Sequence, residues 1–266
     1  MGKLLALIVA VVTVVSTAIF AMRIWWLPPD ISVAGAAIDH QLGETMLAAG
    51  VLFVLSQLVL AFFIWHYADS GKERKVKPFP GGATPMVVLA SILVGAEVLA
   101  LTLVGSKVWA GIYLAPPNPQ ALHIDVQAQQ FAFNFRYAGP DGAFGATHPD
   151  LIDDASGNYF GLDPANDTTA RDDIVSGSLA VPVDKPILLT MHAKDVGHAF
   201  YVPELRIQQD FVPGLVIPLQ FTAKQIGKHE IVCTQLCGLG HYNMRAYIEV
   251  MSQDQFDQWL RDQAGQ

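Results

Sequence analysis

The side chains best suited to chemistry lie in one short run, Cys233-Thr-Gln-Leu-Cys237-Gly-Leu-Gly-His241-Tyr-Asn-Met244. Two thiols, an imidazole and a thioether share it. Soft sulfur ligands favour copper, and Cys with His and Met is the blue-copper ligand set. A mononuclear blue-copper site uses one Cys, whereas this run supplies two. Two thiolates four residues apart can bridge a pair of copper ions. Each ion then needs one terminal His and one weak ligand. His198, in Asp195-Val-Gly-His198-Ala-Phe-Tyr-Val-Pro203, is the candidate for the second His, 35 residues before Cys233. The backbone carbonyl of Gln235 is the candidate for the second weak ligand.

Other uses of the two cysteines explain less. A Cys233–Cys237 disulfide suits a compartment outside the cytoplasm but leaves His241 and Met244 without a role. A zinc site uses Cys and His and seldom Met. The remaining histidines (His40, His66, His123, His148, His192 and His229) read as ordinary structural or surface residues. Only His192 lies close enough to His198 to confuse the assignment.

The elements that must position this run are short strands. Leu122–Val126 alternates, and Phe131, Phe133, Phe135 and Tyr137 recur at every second residue, which places them on one face of a strand. Gly139-Pro140-Asp141-Gly142 is a turn signal. Further strands are expected at 178–183, 187–192, 198–202, 215–222, 228–233 and 244–251, and a terminal helix at 254–263. Short strands at such spacing indicate a sandwich or barrel. Residues 141–177 form an irregular acidic insertion. Its stretch 141–173 holds eight Asp and one Arg, which fits a solvated loop or a docking surface for a cationic partner.

The rest of the chain is of another kind. The 266 residues are 52% hydrophobic and only 15% charged, whereas soluble domains run near ~25% charged. The 16 basic and 24 acidic residues give a net charge of −8, which argues against a nucleic-acid partner. Two regions result: a transmembrane anchor over 1–116 and an exposed head over 117–266. Segments near 4–22, 45–68 and 84–106 are apolar enough to span a bilayer, since roughly 20 helical residues cross its hydrocarbon core. The first, after Met1-Gly2-Lys3, also resembles a signal peptide. Its length and the lack of a small-x-small cleavage site before Arg23 favour a retained helix, so two to three spans are expected. Lys72, Arg74, Lys75 and Lys77 make the 69–77 loop the inner one, and Arg23 is alone in the 23–44 loop. The positive-inside rule then puts the head on the outer face. Trp25, Trp26, Trp65 and Trp109 fall near helix ends, as interfacial or simply packed residues. Glu97 in mid-span is costly against lipid and suits a partner helix or a wet cavity.

Taken together, the Cys run with its upstream His, the strand Gln130-Phe131-Ala132-Phe133 and the stretch Asp210-Phe-Val-Pro-Gly214 resemble subunit II of the haem–copper cytochrome c oxidases with a binuclear copper A centre. The resemblance covers the last two helices and nearly the whole head. It implies a membrane-anchored all-β fold with a cupredoxin-like β-barrel. It implies two copper ions bridged by Cys233 and Cys237, with His198 and Met244 completing one ion and His241 with the Gln235 carbonyl the other. It implies an electron-transfer subunit of a redox-driven, proton-translocating oxidoreductase, with no catalytic residue of its own. Electrons come from cytochrome c or a cytochrome-bearing complex. They pass to subunit I, with its haem and copper B, where oxygen is reduced; subunit III is a further partner. The expected place is the bacterial inner membrane with the copper domain on the periplasmic face.

Several positions depart from the family. Gln235 stands where Glu is usual, and a neutral amide is a poorer ligand for a hard cation, which argues against the family's magnesium site at the subunit I interface. Phe131 and Phe133 replace tryptophans, the first being the family's electron-entry residue, so Phe131 is carried over to that role with a different donor contact in view. Residues 84–90 lack the acid found near the start of the last helix, and Glu97 lies too deep to inherit its role. The first apolar segment is extra. The competing function is a membrane-anchored copper-delivery protein, which also uses Cys-x3-Cys and a distant His. Those cysteines sit early, beside a helix, whereas these sit late, after a strand. A quinol oxidase subunit would lack the ligands present here, and nitrous oxide reductase would need a further copper-cluster domain.

Overall fold

A computed structural model of the chain describes residues 1–69 and 84–264. The basic residues Lys72, Arg74, Lys75 and Lys77, which carry the orientation argument, lie outside the described residues. Three helices come first: α1 (Gly2–Ala21), α2 (Gly35–His66) and α3 (Thr84–Tyr113). Ten strands follow: β1 (Leu122–Gln129), β2 (Ala132–Tyr137), β3 (Ile174–Ser176), β4 (Leu179–Pro182), β5 (Pro186–Ala193), β6 (His198–Val202), β7 (Ile207–Phe211), β8 (Ile217–Thr222), β9 (Gly227–Val232) and β10 (Arg245–Met251). Helix α4 (Gln253–Ala264) ends the chain. The chain divides into two compact units, residues 1–27 with 39–109 and residues 28–38 with 110–266.

In the first unit all three helices are long and apolar enough to cross a membrane. They form because uninterrupted Leu, Val, Ile and Ala runs leave the backbone no partner but itself, as a bilayer core demands. α2 has 32 residues and α3 has 30, longer than the apolar segments alone indicate. At about 1.5 Å per residue each exceeds the roughly 30 Å hydrocarbon core. No described residue of α3 is buried, so its apolar side chains are left for lipid or for other helices. α1 and α2 approach closely through small residues. A Cβ added at Gly2 would lie 2.9 Å from the Ala68 Cβ, and Ala6 and Ala61 are buried.

The head is a cupredoxin-like barrel of two five-stranded sheets, ordered β3-β2-β1-β5-β8 and β4-β10-β9-β6-β7. β1 with β5 and β10 with β4 are parallel pairs. The inner faces meet in one apolar core to which Val126, Phe135 and Leu189 contribute from one sheet and Phe200, Ile231 and Ile248 from the other. Tyr137 ties the sheets together: its hydroxyl donates to the Ala180 carbonyl at 3.0 Å and accepts from the Ala180 N–H at 2.8 Å. α4 starts on a reciprocal cap, in which Gln255 Oε1 accepts from the Ser252 N–H and Ser252 Oγ from the Gln255 N–H.

Three features differ from the sequence expectations. First, Phe133, Phe135 and Tyr137 share the buried face of β2, but Phe131 does not. It sits in the turn before the strand and is 40% exposed. Second, the opposite face of β2 is buried too, because the acidic segment folds over it. Arg136 is 1% exposed and donates to Asp173 and to the Gly145 carbonyl. The acids of this segment serve its own backbone: Asp173 accepts from the Gly145 N–H, Asp167 from Ala146 and Thr169, and Asp141 from Ala143. Third, β3 and β7 were not expected. β7, Ile-Gln-Gln-Asp-Phe, is an edge strand with apolar residues only at its two ends, so it shows no alternation.

The loop after α1 is also more than a connection. Residues 28–34 form a strap on the head. The Ile31 N–H donates to Glu204 O and the Lys224 N–H to Ile31 O. Ser32 bridges Ala223, Arg206 donates to Pro28 O, and Lys224 pairs with Asp30. Ile31 is buried, and Ser32 Oγ accepts from the Gly35 N–H to cap α2.

Candidate metal centre

The site is built where three neighbouring strands of one sheet end together. Cys233 follows the last residue of β9, Met244 precedes the first of β10, and His198 opens β6. β9 lies between β10 and β6. The register pairs Val232 with Arg245 on one side and with Tyr201 on the other. Met244 therefore falls beside Cys233, and the Cys233 N–H donates to Met244 O at 3.2 Å. The run from 234 to 243 closes this end as a loop, with His241 opening a single 3-10 turn.

The sequence-predicted ligands converge. The Cys233 and Cys237 Sγ atoms are 3.9 Å apart, and both cysteines are free. Cys237 Sγ is 3.6 Å from His241 Nδ1 and 3.7 Å from Met244 Sδ. Cys233 Sγ is 3.1 Å from the Gln235 carbonyl oxygen. One ligand atom each from His198, Cys233 and Cys237 lie within 4.8 Å of one another. Both cysteines, His198 and Met244 are buried, His241 is half-buried and Gln235 is exposed. His192, the other imidazole near His198 in sequence, stands on β5 in the opposite sheet.

Two observations fit these residues to a cation. His198 is fully buried, yet its Nδ1 has no hydrogen-bond partner among the described residues. An unpaired buried polar atom is costly, and a neutral imidazole nitrogen without a donor is a metal ligand in waiting. Burial, and after it the neighbouring Cys233, push the Cys237 thiol up to about 11. Two thiolates this close need positive charge beside them, and the thiolate–imidazole–thioether donor set selects copper.

Residues not singled out from the sequence hold the ligands. Asp195 Oδ1 accepts from His198 Nε2 at 2.8 Å and from the Val196 N–H at 2.7 Å. Its Oδ2 accepts from the Gln130 N–H at 2.7 Å. The Gln130 side chain in turn donates to the Cys237 carbonyl. Burial works against the Asp195 charge, but hydrogen bonds, first that from His198, outweigh it and keep the carboxyl below its ordinary range. The only sequence signal was an acid three residues before a candidate ligand. Phe131 lies against the loop: a Cβ at Gly240 would come within 2.5 Å of its ring. Gly238, at φ +134°, would meet Gln130 Nε2 at 2.7 Å. Both glycines therefore let the ligand loop lie flat on the Gln130–Phe131 turn.

A family model described as cytochrome C oxidase subunit II, periplasmic domain, matches residues 163–251. That span contains every ligand candidate. Over that span the chain is similar to subunit II of cytochrome c oxidase. Among its relatives, an alternative cytochrome c oxidase subunit 2 of Bradyrhizobium diazoefficiens is 29% identical over 260 residues, covering 97% of this chain and 91% of the relative. A cytochrome c oxidase subunit 2 of Synechocystis is 25% identical over 279 residues, covering 97% of this chain and 82% of the relative. The crystal structure of the periplasmic domain of subunit II of the Bradyrhizobium japonicum cytochrome oxidase is similar at 25% identity. It aligns over 56% of this chain and 98% of its own, with a TM-score of 0.41. This chain itself joins three helices long and apolar enough to cross a membrane to a β domain that carries the candidate ligands.

Proposed function

We propose that the chain is the electron-entry subunit of its oxidase, with a binuclear copper centre in the head. Cys233 and Cys237 would bridge the two ions, His198 and Met244 would complete one, and His241 with the Gln235 carbonyl the other. When bound, a copper pair sharing charge through two thiolates supplies a fast one-electron carrier. The observation that carries this reading is the convergence of two thiols, a thioether and two imidazoles at one end of the sheet, with Nδ1 of the fully buried His198 left without a hydrogen-bond partner among the described residues.

The protein's own residues bind, orient and exclude water. The strand ends fix Cys233, Met244 and His198 before any ion arrives, so little reorganisation is left. Burial of both thiols and of His198 keeps bulk water from the ligands, which favours a low-reorganisation site. Phe131, partly exposed and against the ligand loop, is proposed as the contact through which a cytochrome c or another cytochrome-bearing donor delivers electrons. Subunit I receives them for oxygen reduction and subunit III completes the complex, whose turnover is coupled to proton translocation. The anchor (1–116) is placed in a bacterial inner membrane and the copper domain (117–266) on its periplasmic side. Gln235, an exposed neutral amide, offers a magnesium ion no carboxylate, and no magnesium site is proposed.

The test is purification of the chain from its native membrane with its partners. Two coppers per chain and the purple spectrum of a mixed-valence thiolate-bridged pair are expected. One copper per chain with a single-ion spectrum sinks the proposal.

A further inference from the structure

His198 and the ligand loop come from different parts of the chain, and one carboxylate joins them. Asp195 Oδ1 takes the hydrogen of His198 Nε2 and also the Val196 N–H, while Oδ2 takes the Gln130 N–H. Gln130 then holds the Cys237 carbonyl through its side-chain amide. A chain of hydrogen bonds thus runs from one predicted ligand, through Asp195 and Gln130, to the loop between β9 and β10 that carries the others.

We propose that Asp195 is a positioning residue for the copper pair, fixing the imidazole nitrogen that His198 presents and locking that ring to the Cys237 loop. The inference rests on the copper reading given above. The argument is one of hydrogen-bonding capacity. A neutral imidazole has one N–H and one lone pair. A carboxylate only accepts, so it compels Nε2 to carry the hydrogen and leaves the lone pair on Nδ1. Nδ1 is the buried atom without a partner, on a ring that offers one nitrogen to the group formed with the two thiols. A neutral acceptor at 195 would hold the ring less firmly and would not add negative charge to it. A carboxylate behind a metal-bound imidazole raises its basicity as a ligand and stabilises the more positive oxidation state.

A turn-forming Asp would need only the Val196 N–H, its immediate neighbour. The bonds to His198 and Gln130 go further, since Gln130 lies 65 residues away in sequence. Breaking the clamp therefore reaches both halves of the site, whereas breaking a turn reaches one.

The experiment compares the full chain, purified with its partners, with its Asp195→Asn and Asp195→Ala variants. Copper retention against a chelator, the visible spectrum and the midpoint potential are read. In addition, His198 is followed by nitrogen NMR in the copper-stripped parent chain. Asp195→Ala is expected to lose copper about 10- to 100-fold more readily, the usual cost of removing such a partner. Asp195→Asn keeps the shape and an acceptor oxygen. It is expected to hold nearly two coppers per chain with a raised potential and a shifted spectrum, which a purely structural role would not produce. The stripped parent should show the hydrogen on Nε2. Parent-like retention, spectrum and potential in both variants overturn the proposal, as does a hydrogen on Nδ1. If the Ala variant fails to fold, the Asn variant decides by its potential and spectrum. A parent without a copper pair defeats the copper reading instead, and the NMR result still judges the role of Asp195.

Discussion

Two groups of buried polar residues in the head, one around Arg136 and one around His198, use their hydrogen-bonding capacity differently. Under the acidic segment, Arg136 gives Nε and Nη2 to Asp173, gives Nη2 also to the Gly145 carbonyl, and sets Nη1 3.6 Å from Asp125. Phe144 and Phe160 lie beside its guanidinium at 5.0 and 5.8 Å. In that cluster the guanidinium is met from within, and in this sense it is closed, although Asp173 Oδ1 has no hydrogen-bond partner among the described residues. At the strand ends, His198, Cys233, Cys237 and Met244 turn soft donors toward one another and leave His198 Nδ1 unpaired. Burial of polar groups is common to both. What separates scaffold from site is whether the charge is met inside the cluster, as Asp173 meets Arg136, or whether two thiols and an imidazole nitrogen stand together with no cation among them.

The largest effect expected from this contrast falls on the open cluster. Cys237→Ser removes one bridge, and the copper pair should be lost almost entirely. Copper per chain and the visible spectrum measure this, with the fold checked by circular dichroism. A variant that still holds two coppers would mean that Cys237 is not a ligand that the pair depends on.

The closed cluster should fail differently. Arg136→Leu leaves Asp173, whose side chain is fully buried, without its cation. Removing one partner of a buried pair costs about 3–5 kcal/mol. Thermal unfolding of the head within the solubilised chain should shift down accordingly, while the folded fraction keeps its copper content and spectrum. A spectral change at unchanged stability would erase the distinction between the clusters.

These two clusters were not equally legible in the sequence. Cys233, Cys237, His241 and Met244 lie on one loop between adjacent strands, so local spacing alone brought them together. His198 needed its strand-start position and the family resemblance, since its partnership with the loop is tertiary. Asp195 and Gln130 were invisible as supports because what an acid or an amide bonds to depends on which turn lands beside it. Arg136 was missed for a related reason. Alternation in β2 identifies one apolar face, but nothing in Asn134 or Arg136 says that the other face will be covered. The acidic segment read as loop or docking surface because composition counts its carboxylates and cannot see that Asp141, Asp167 and Asp173 are bound to its own N–H groups. Ile31 gave no signal either: one apolar residue in a linker has no period.

Within the open cluster a graded test is available. Met244 Sδ is a weak ligand candidate, 3.7 Å from Cys237 Sγ. Met244→Leu preserves volume and removes only the sulfur. Bound copper should stay near the parent level, while the potential and spectrum shift, since a weak ligand tunes such sites more than it holds them. A copper-delivery protein would show little change in copper transfer with this variant, so the same substitution separates the two functions.

The smallest effect belongs to the strap, where the closed arrangement reaches the surface. Lys224 pairs with Asp30, whose Oδ1 also accepts from the Ser32 N–H. Burial raises the Asp30 carboxyl, but the bonds from Lys224 and Ser32 and the charge of Arg206 prevail and hold it below its usual value. A carboxyl depressed in the folded state contributes stability above its unfolded pKa and loses it as pH falls through the folded one. The strap should therefore be fully fastened at neutral pH and loosen only on acidification below about pH 4, the ordinary Asp range. Exposed pairs of this kind are worth about 0–1 kcal/mol, so Asp30→Asn should hardly move the unfolding of the head. It should instead flatten the acid-side rise in proteolytic cleavage near residues 28–34, because the neutral amide has no charge to lose. An equal acid sensitivity in parent and variant would place the strap's hold in Ile31 and the backbone bonds alone. The copper spectrum should be indifferent in either case, since none of these groups touches the open cluster.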